Sequence, residues 1–320
     1  MYPVGHFAPF VEPDQWLARD PSQINALLET WGVCVVRGLF PSAECPALVA
    51  SLIQELKTAT DGEVDLNDPS TYGNYYDLFQ PMKGMLCHHN GVGHLQTLDT
   101  IRRHPAFQTC FETIWPGQAL ASSVDGCSFH VPFGKRGTME TSKTPGVLHT
   151  DQSQTSTARC IQGLVNLVDV SPGGATFACI PGAFRHHAHV SGSDKKDWHA
   201  YTPEDTAYFA TQGFTPVSFL LQAGDIVLWN SKTPHAGFHA YAGRKAAGLR
   251  AVAYVCKLPT ARLTERVKRQ RRDAFAKGKT SYHDGSHFFP DAPRTYGKVV
   301  KRVKVPPLKL DARAADFYGL

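Results

Sequence analysis

The chain has 320 residues, 42% of them hydrophobic and 19% charged, which is enough apolar material for a full core at a length suited to one large domain or two small ones. No run approaches the ~18 apolar residues of a membrane span, and the opening Met1-Tyr2-Pro3-Val4-Gly5-His6 lacks the charged and apolar regions of a signal peptide. The expected location is therefore cytoplasmic or nuclear, not secreted, with no membrane partner.

The formal charge of +5 is unevenly placed: residues 257 to 304 hold fourteen Lys or Arg against four Asp or Glu, leaving the remainder net acidic. Such a segment suits a solvated basic helix, a phosphate-bearing partner such as nucleic acid, or an acidic face of the same protein. The eight cysteines include no CxxC pair and sit mostly among apolar neighbours, a pattern of reduced, buried thiols.

In chain order, Ser22 is a candidate N-cap for a short helix with Ile24, Leu27, Leu28 and Trp31 on one face and Gly32 as its stop. Val33 to Leu39 is β-branched and predicts a strand. Pro41-Ser42 then opens a second helix with Leu48, Val49, Leu52, Ile53 and Leu56 on one face. Residues 60 to 92 are polar and aromatic without a period and include Tyr72, Tyr75, Tyr76, Phe79 and His88-His89. They read either as a lid over a pocket or as a surface loop whose tyrosines pack on the body. Residues 94 to 115 predict helix interrupted at Pro105.

From about Ala119 the texture becomes short strands separated by Gly and Pro: 119–132, 146–151, 158–168, 175–180, 215–221, 225–230 and 248–256. This predicts a mainly β fold with flanking α-helices and a jelly-roll core. Thr260 is the expected cap of a basic helix running to about Lys277, followed by a Pro-rich surface arm. The expected division is a lead-in with the candidate lid over 1–118, part of the same domain, a β core over 119–256, and the basic helix and arm over 257–320.

Within the β region, His149 and Asp151 in Leu148-His149-Thr150-Asp151-Gln152 stand two residues apart, so on a strand they share a side and suit two ligands of one metal ion. The third ligand is sought among distant histidines. His235, just past the strand in Gly224-Asp225-Ile226-Val227-Leu228-Trp229-Asn230, is preferred over His186, His187 and His189, which follow Pro181-Gly182, and over His239. Two histidines and one carboxylate leave coordination positions open, as in non-haem Fe(II) oxygenases. Arg250 begins the strand Arg250-Ala251-Val252-Ala253-Tyr254-Val255 and shares a face with Val252 and Tyr254. A buried guanidinium needs an anion, and a bidentate carboxylate such as that of 2-oxoglutarate satisfies it. A protein carboxylate would also serve, and Arg244 is the rival anchor.

Taken together, His149-x-Asp151-Gln152, the run from Ser171 through Ile180-Pro181-Gly182-Ala183-Phe184-Arg185, the strand from Gly224 to His235, and Arg250 resemble the phytanoyl-CoA dioxygenase family over roughly residues 119 to 256. Gly32-Val33-Cys34-Val35-Val36-Arg37-Gly38-Leu39 resembles its lead-in. Ala183-Phe184 stands where the family often has Ser-His, Gly237 where a small hydroxyl residue often follows the last ligand, and the spacing from His235 to Arg250 is somewhat long.

The resemblance implies a double-stranded β-helix (cupin-like) core and an Fe(II)- and 2-oxoglutarate-dependent dioxygenase that consumes O2, releases succinate and CO2, and hydroxylates a C–H bond of a small molecule. It implies iron on His149, Asp151 and His235, with Arg250 pairing the cosubstrate and Thr150 and Gln152 beside it. Related halogenases lack the carboxylate, so Asp151 favours hydroxylation. Acyl, amino-acid-like and natural-product substrates all fit, and Asp125, Ser128, His130 and Lys135-Arg136-Gly137 are candidates for the mouth. Two alternatives stay open: oxidation of a nucleic-acid base, with the basic helix Arg262 to Arg272 on the phosphates, and a non-catalytic jelly-roll binding module.

Overall fold

A computed structural model describes residues 8–320 apart from 80–83, 87–89, 133–145, 154, 191–197, 242–247, 289–302 and 304. The strands, in chain order, are β1 (Phe10–Val11), β2 (Leu17–Ala18), β3 (Val33–Val36), β4 (Leu120–Ser122), β5 (Cys127–His130), β6 (His149–Thr150), β7 (Ile161–Asn166), β8 (Thr176–Cys179), β9 (His199–Ala200), β10 (Val217–Phe219), β11 (Ile226–Asn230), β12 (His235–Phe238), β13 (Arg250–Tyr254) and β14 (Lys257–Pro259). The helices are α1 (Ile24–Trp31), α2 (Cys45–Ala59), α3 (Tyr72–Phe79), α4 (Gln96–Arg103), α5 (Pro105–Ile114), α6 (His187–Val190), α7 (Pro203–Thr211), α8 (Glu265–Ala276) and α9 (Ala312–Phe317).

Among the described residues, two six-stranded sheets face each other. One runs β1-β10-β8-β12-β6-β9 and the other β2-β3-β11-β7-β13-β5, while β14 and β4 pair apart. Alternation along the strands builds the layers. In the second sheet Val33, Val35, Leu164, Val227, Trp229 and Val252 turn toward the first sheet, where they meet Phe177, Cys179 and Phe219. Their neighbours Cys34, Val36, Val165, Ile226, Leu228, Ala251 and Ala253 turn the other way and pack with the core residues of α1 to α5. The outer face of the first sheet, with Ala178, Ala236 and Phe238, is covered by Phe209 of α7. Each large side chain so buried contributes about 1.5–3 kcal/mol. Both ends of the stack are thus closed by helices, and the space between the sheets is free to hold polar groups only where apolar side chains give out.

The helix–strand–helix lead-in has the expected elements with shifted ends. Asp20, not Ser22, caps the first turn: its side chain accepts from Ser22 N in a 3-10 turn that precedes α1. Gly32 ends α1 at φ +67, where a Cβ would also collide with Thr233 and Phe184. The aromatic segment expected to be irregular contains α3, and Tyr72, Tyr75 and Phe79 are buried on it. Tyr75 donates to Phe129 O on β5, so these tyrosines pack on the body.

Thr264, not Thr260, caps α8, and the arm after it is docked: Val303, Val305 and Tyr318 are buried. Helix, at about 39%, outweighs strand, at about 20%, so over the described residues the chain is mixed α/β and not mainly β. The strands predicted from pattern are short in three dimensions because turns and bends, which carry no period, take much of the β region. Seven cysteines are free thiols, six of them buried; Cys87 lies outside the described residues. No helix among the described residues is long and apolar enough to cross a membrane.

Candidate metal centre

His149 and His235 are directly opposed across the antiparallel β6–β12 pair. Both side chains point into the space between the sheets, as Asp151 does two residues beyond His149. The Nε2 atom of His149 lies 3.8 Å from Asp151 Oδ1, and that of His235 lies 3.4 Å from Oδ2. Ligand atoms of all three fall within 4.8 Å of one another. At metal–ligand bonds of about 2.1 Å, atoms on one ion can be no more than about 4.2 Å apart, so both carboxylate–imidazole separations suit a shared ion.

Both imidazoles are set by the same local device. His149 Nδ1 lies 3.2 Å from Val147 O, and His235 Nδ1 lies 2.8 Å from Thr233 O. A carbonyl only accepts, so each Nδ1 carries the proton and each Nε2 keeps its lone pair for a metal. Thr233 is fixed in turn, its hydroxyl donating to Gly32 O at the end of α1. Phe177 stacks on the His235 ring at 6.3 Å and Trp229 lies at 5.3 Å, packing that locks the rotamer.

Gln162 on β7 donates to Asp151 Oδ2 at 2.8 Å, fixing the carboxylate plane. Burial would raise the Asp151 carboxyl, but its imidazole neighbours, His235 foremost with His149 and His283, outweigh it and hold the group well below the usual carboxylate range. Gln162 was missed from sequence; its only signal is a polar residue alternating with apolar ones in a buried strand.

Arg250 begins β13 and is 3% exposed. None of its three guanidinium nitrogens has a hydrogen-bond partner among the described residues. Burial lowers its pKa, partly offset by the nearby Tyr254 phenol. The side chain crosses from the second sheet toward the first: a Cβ added at Gly237 of β12 would stand 3.6 Å from Nη1. Gly237 and His235 are two apart on β12 and share its inward face, so the guanidinium sits one side-chain position from the histidine. A buried, unpaired guanidinium costs several kcal/mol, far beyond the ~1 kcal/mol of an ordinary hydrogen bond. The geometry therefore demands an anion that the described residues do not supply, and a carboxylate fits it bidentately.

Two residues expected beside the cosubstrate have other partners. Thr150 faces away from His149 by strand alternation and donates to Ser231 O. Gln152 accepts from Ser231 Oγ and donates to Ser156 Oγ and Ala158 O, so its amide holds the loop together. Of the rival histidines, His187 is buried, not solvated, its Nε2 lying 2.9 Å from Gln152 O, and His186 pairs with the Tyr208 hydroxyl. His239 lies with its ring 5.7 Å from that of His130. Arg244, His88-His89 and Lys135-Arg136-Gly137 lie outside the described residues.

No family model matches the chain. A curated relative, "Ava biosynthesis cluster protein O" of Aspergillus versicolor, is 22% identical over 197 residues, covering 58% of this chain and 61% of that protein. The match thus spans less than two thirds of the relative's length. Among solved structures, the non-heme alpha ketoglutarate dependent carbocyclase SnoK from nogalamycin biosynthesis superposes with a TM-score of 0.51 at 12% identity, over 79% of this chain and 88% of that one. AviO1 from Streptomyces viridochromogenes Tue57 gives 0.49 at 14% identity, over 76% and 96%. The likeness to the carbocyclase is one of fold.

Proposed function

We propose that this chain, which shares its fold with a non-haem 2-oxoglutarate-dependent enzyme, is itself an Fe(II)- and 2-oxoglutarate-dependent dioxygenase that hydroxylates a C–H bond of a small organic molecule. The observation that carries this reading is the pairing of two features: three ligand atoms gathered on one inward face, and an unpartnered guanidinium one side-chain position away. The paired sheets support reading residues 119–256 as a double-stranded β-helix core, with 1–118 and 257–320 around it.

His149, Asp151 and His235 would hold the iron on one face, leaving the opposite positions open. Arg250 would receive the far carboxylate of 2-oxoglutarate, ending its own unpaired burial and fixing which end of the cosubstrate meets the metal. Phe177, Trp229, Leu164 and Val252 form an apolar wall that excludes water around these charges and strengthens each interaction. Gln162 keeps Asp151 in place throughout. Bound iron with 2-oxoglutarate and O2 supplies the oxidant for the C–H bond, with succinate and CO2 as coproducts.

Anaerobic addition of Fe(II) and 2-oxoglutarate should produce a weak visible charge-transfer band. His149→Ala and Asp151→Ala should abolish both the band and substrate-stimulated succinate formation. Arg250→Leu should raise the KM for 2-oxoglutarate on the order of a hundredfold, as expected for removing one partner of a buried charge pair. Full succinate formation in both His149→Ala and Asp151→Ala would overturn the assignment.

A further inference from the structure

The edge of the first sheet, beside the metal-ligating set, carries an aromatic side chain that has no part in holding iron or 2-oxoglutarate. β9 is the last strand of that sheet and pairs antiparallel with β6, with His149 opposite Ala200 and Thr150 opposite His199. Directly opposed residues of such a pair share a face, and successive residues alternate between faces. Tyr201 N donates to Leu148 O, and both residues are buried in the outer cluster with Phe209 of α7. The His199 ring packs 5.3 Å from that of Tyr201, on the same outer side. Ala200 and Trp198 therefore turn inward with His149 and Asp151. Carried one step beyond the strand ends, the register sets Trp198 opposite Asp151.

The side-chain contacts agree with that placement. The Trp198 ring lies 5.7 Å from that of His149, with the two planes inclined by 34°. Even so, the indole is 53% exposed, whereas Trp16, Trp115 and Trp229 are buried. The three ligands give the direction of access. The side chains of His149 and Asp151 are 19% and 18% exposed against 5% for His235, so the centre opens on its β6 side, toward the sheet edge where Trp198 stands. Val147, two residues before His149 and on the same face, is also exposed and extends the apolar rim.

We propose that Trp198 is a substrate-positioning residue: its exposed indole stacks a planar, conjugated ring of the substrate and holds that ring at the open side of the metal centre. This rests on the iron and 2-oxoglutarate reading and narrows its substrate class. The indole is already oriented against His149, so a ring laid on it gains contact with little further loss of side-chain freedom. A flat ring meets the indole across its whole face and gains the offset-stacking interaction of two π-systems; a saturated ring of the same size does neither. The Val147 side chain offers the edge of that ring an apolar neighbour.

The test uses the full chain loaded anaerobically with Fe(II) and 2-oxoglutarate, probed with naphthalenemethanol against its fully saturated decalin counterpart. The two share one hydroxymethyl group and differ in planarity. Perturbation of the visible band reports binding. The naphthalene should bind on the order of tenfold tighter than the decalin. Trp198→Leu should bring the naphthalene down to the affinity of the decalin while the band itself persists, and Trp198→Phe should keep part of the preference. Fluorine NMR of fluorotryptophan-labelled protein, with the Trp198 line assigned by its loss in Trp198→Phe, should show that line moving when the naphthalene is added, a readout independent of turnover. If the band forms but neither probe shifts it, or the two probes bind alike, or the Trp198 line stays in place, the proposal fails and the iron reading stands. Loss of the band in Trp198→Leu alone would make Trp198 a support of His149 and overturn the proposal as well. If no band forms in the unmodified protein, the iron reading itself fails and takes the proposal with it.

Discussion

Gly237 shows how much one missing side chain decides at this site. It follows His235 by two on β12, so both face inward, and Arg250 from the opposite sheet reaches the space that a side chain at 237 would fill. Its φ is not in the left-handed region, so the backbone tolerates substitution and the constraint is volume alone. Gly237→Val should crowd the guanidinium by an amount typical of overpacking, about 1–3 kcal/mol. The expected outcome is a KM for 2-oxoglutarate raised on the order of tenfold with Fe(II) binding retained. Unchanged cosubstrate affinity would place the carboxylate away from this face.

At the scale of elements, the basic segment takes a structural part in its buried residues. Arg271 of α8 is 1% exposed and donates to the carbonyls of Ser122, Gly285 and Tyr318, joining β4, the turn at His283 and the C-terminal tail. Lys257 is buried on β14 with Nζ on Gln108 Oε1, and burial brings its pKa down to about 8. Arg262 lies over the Trp115 ring and donates to Arg159 O. Part of the positive charge counted from sequence is thus internal, while Arg266, Arg269 and Arg272 of α8 are exposed. Arg271→Met keeps the apolar stem but strands three carbonyls. The expected loss is about 2–4 kcal/mol, read as a lower urea midpoint at unchanged slope. The iron band should survive, because Arg271 touches none of the three ligands.

Over the whole molecule, buried histidines set how stability depends on pH. His94, which ends the 3-10 turn before α4, ties that turn to two distant segments: Nε2 lies 2.9 Å from Lys279 O, and Nδ1 accepts from Leu308 N. Both bonds suit the neutral ring, and burial brings its pKa down to about 4. The unfolded chain binds this proton near 6.5, so the contribution is complete above pH 6.5 and is lost as pH falls toward 4. It is on the order of 3 kcal/mol. Buried His187 is shifted in the same direction and adds to the same slope. His283, whose Nδ1 meets the Asp125 carboxylate, has the opposite sign: its contribution is complete below about 6.5 and is lost as pH rises through about 9. Urea midpoints measured from pH 4 to 9 should therefore peak in between. His94→Gln should flatten the acid limb; an undiminished acid limb in that variant would remove His94 as its source.

The sequence by itself determined what depends on local periodicity. His149 and Asp151 share a side because strand side chains alternate every two residues, and the same rule put Arg250 on the face of Val252 and Tyr254. Ile24, Leu28 and the glycine after Trp31 were legible as a helix and its end for the corresponding reason at 3.6 residues per turn. The alternation also shows why Thr150 belongs on the far side of its strand, once only one face of β6 is open to the centre. What the tertiary structure decided is everything set by long-range register. His235 opens β12 opposite His149 and is not in a loop. Gly237 faces Arg250 across two sheets, and His283 meets Asp125 across 158 residues. No period in the sequence encodes such pairings, because they follow from which strands bury their apolar faces together, and that is a property of the assembled core.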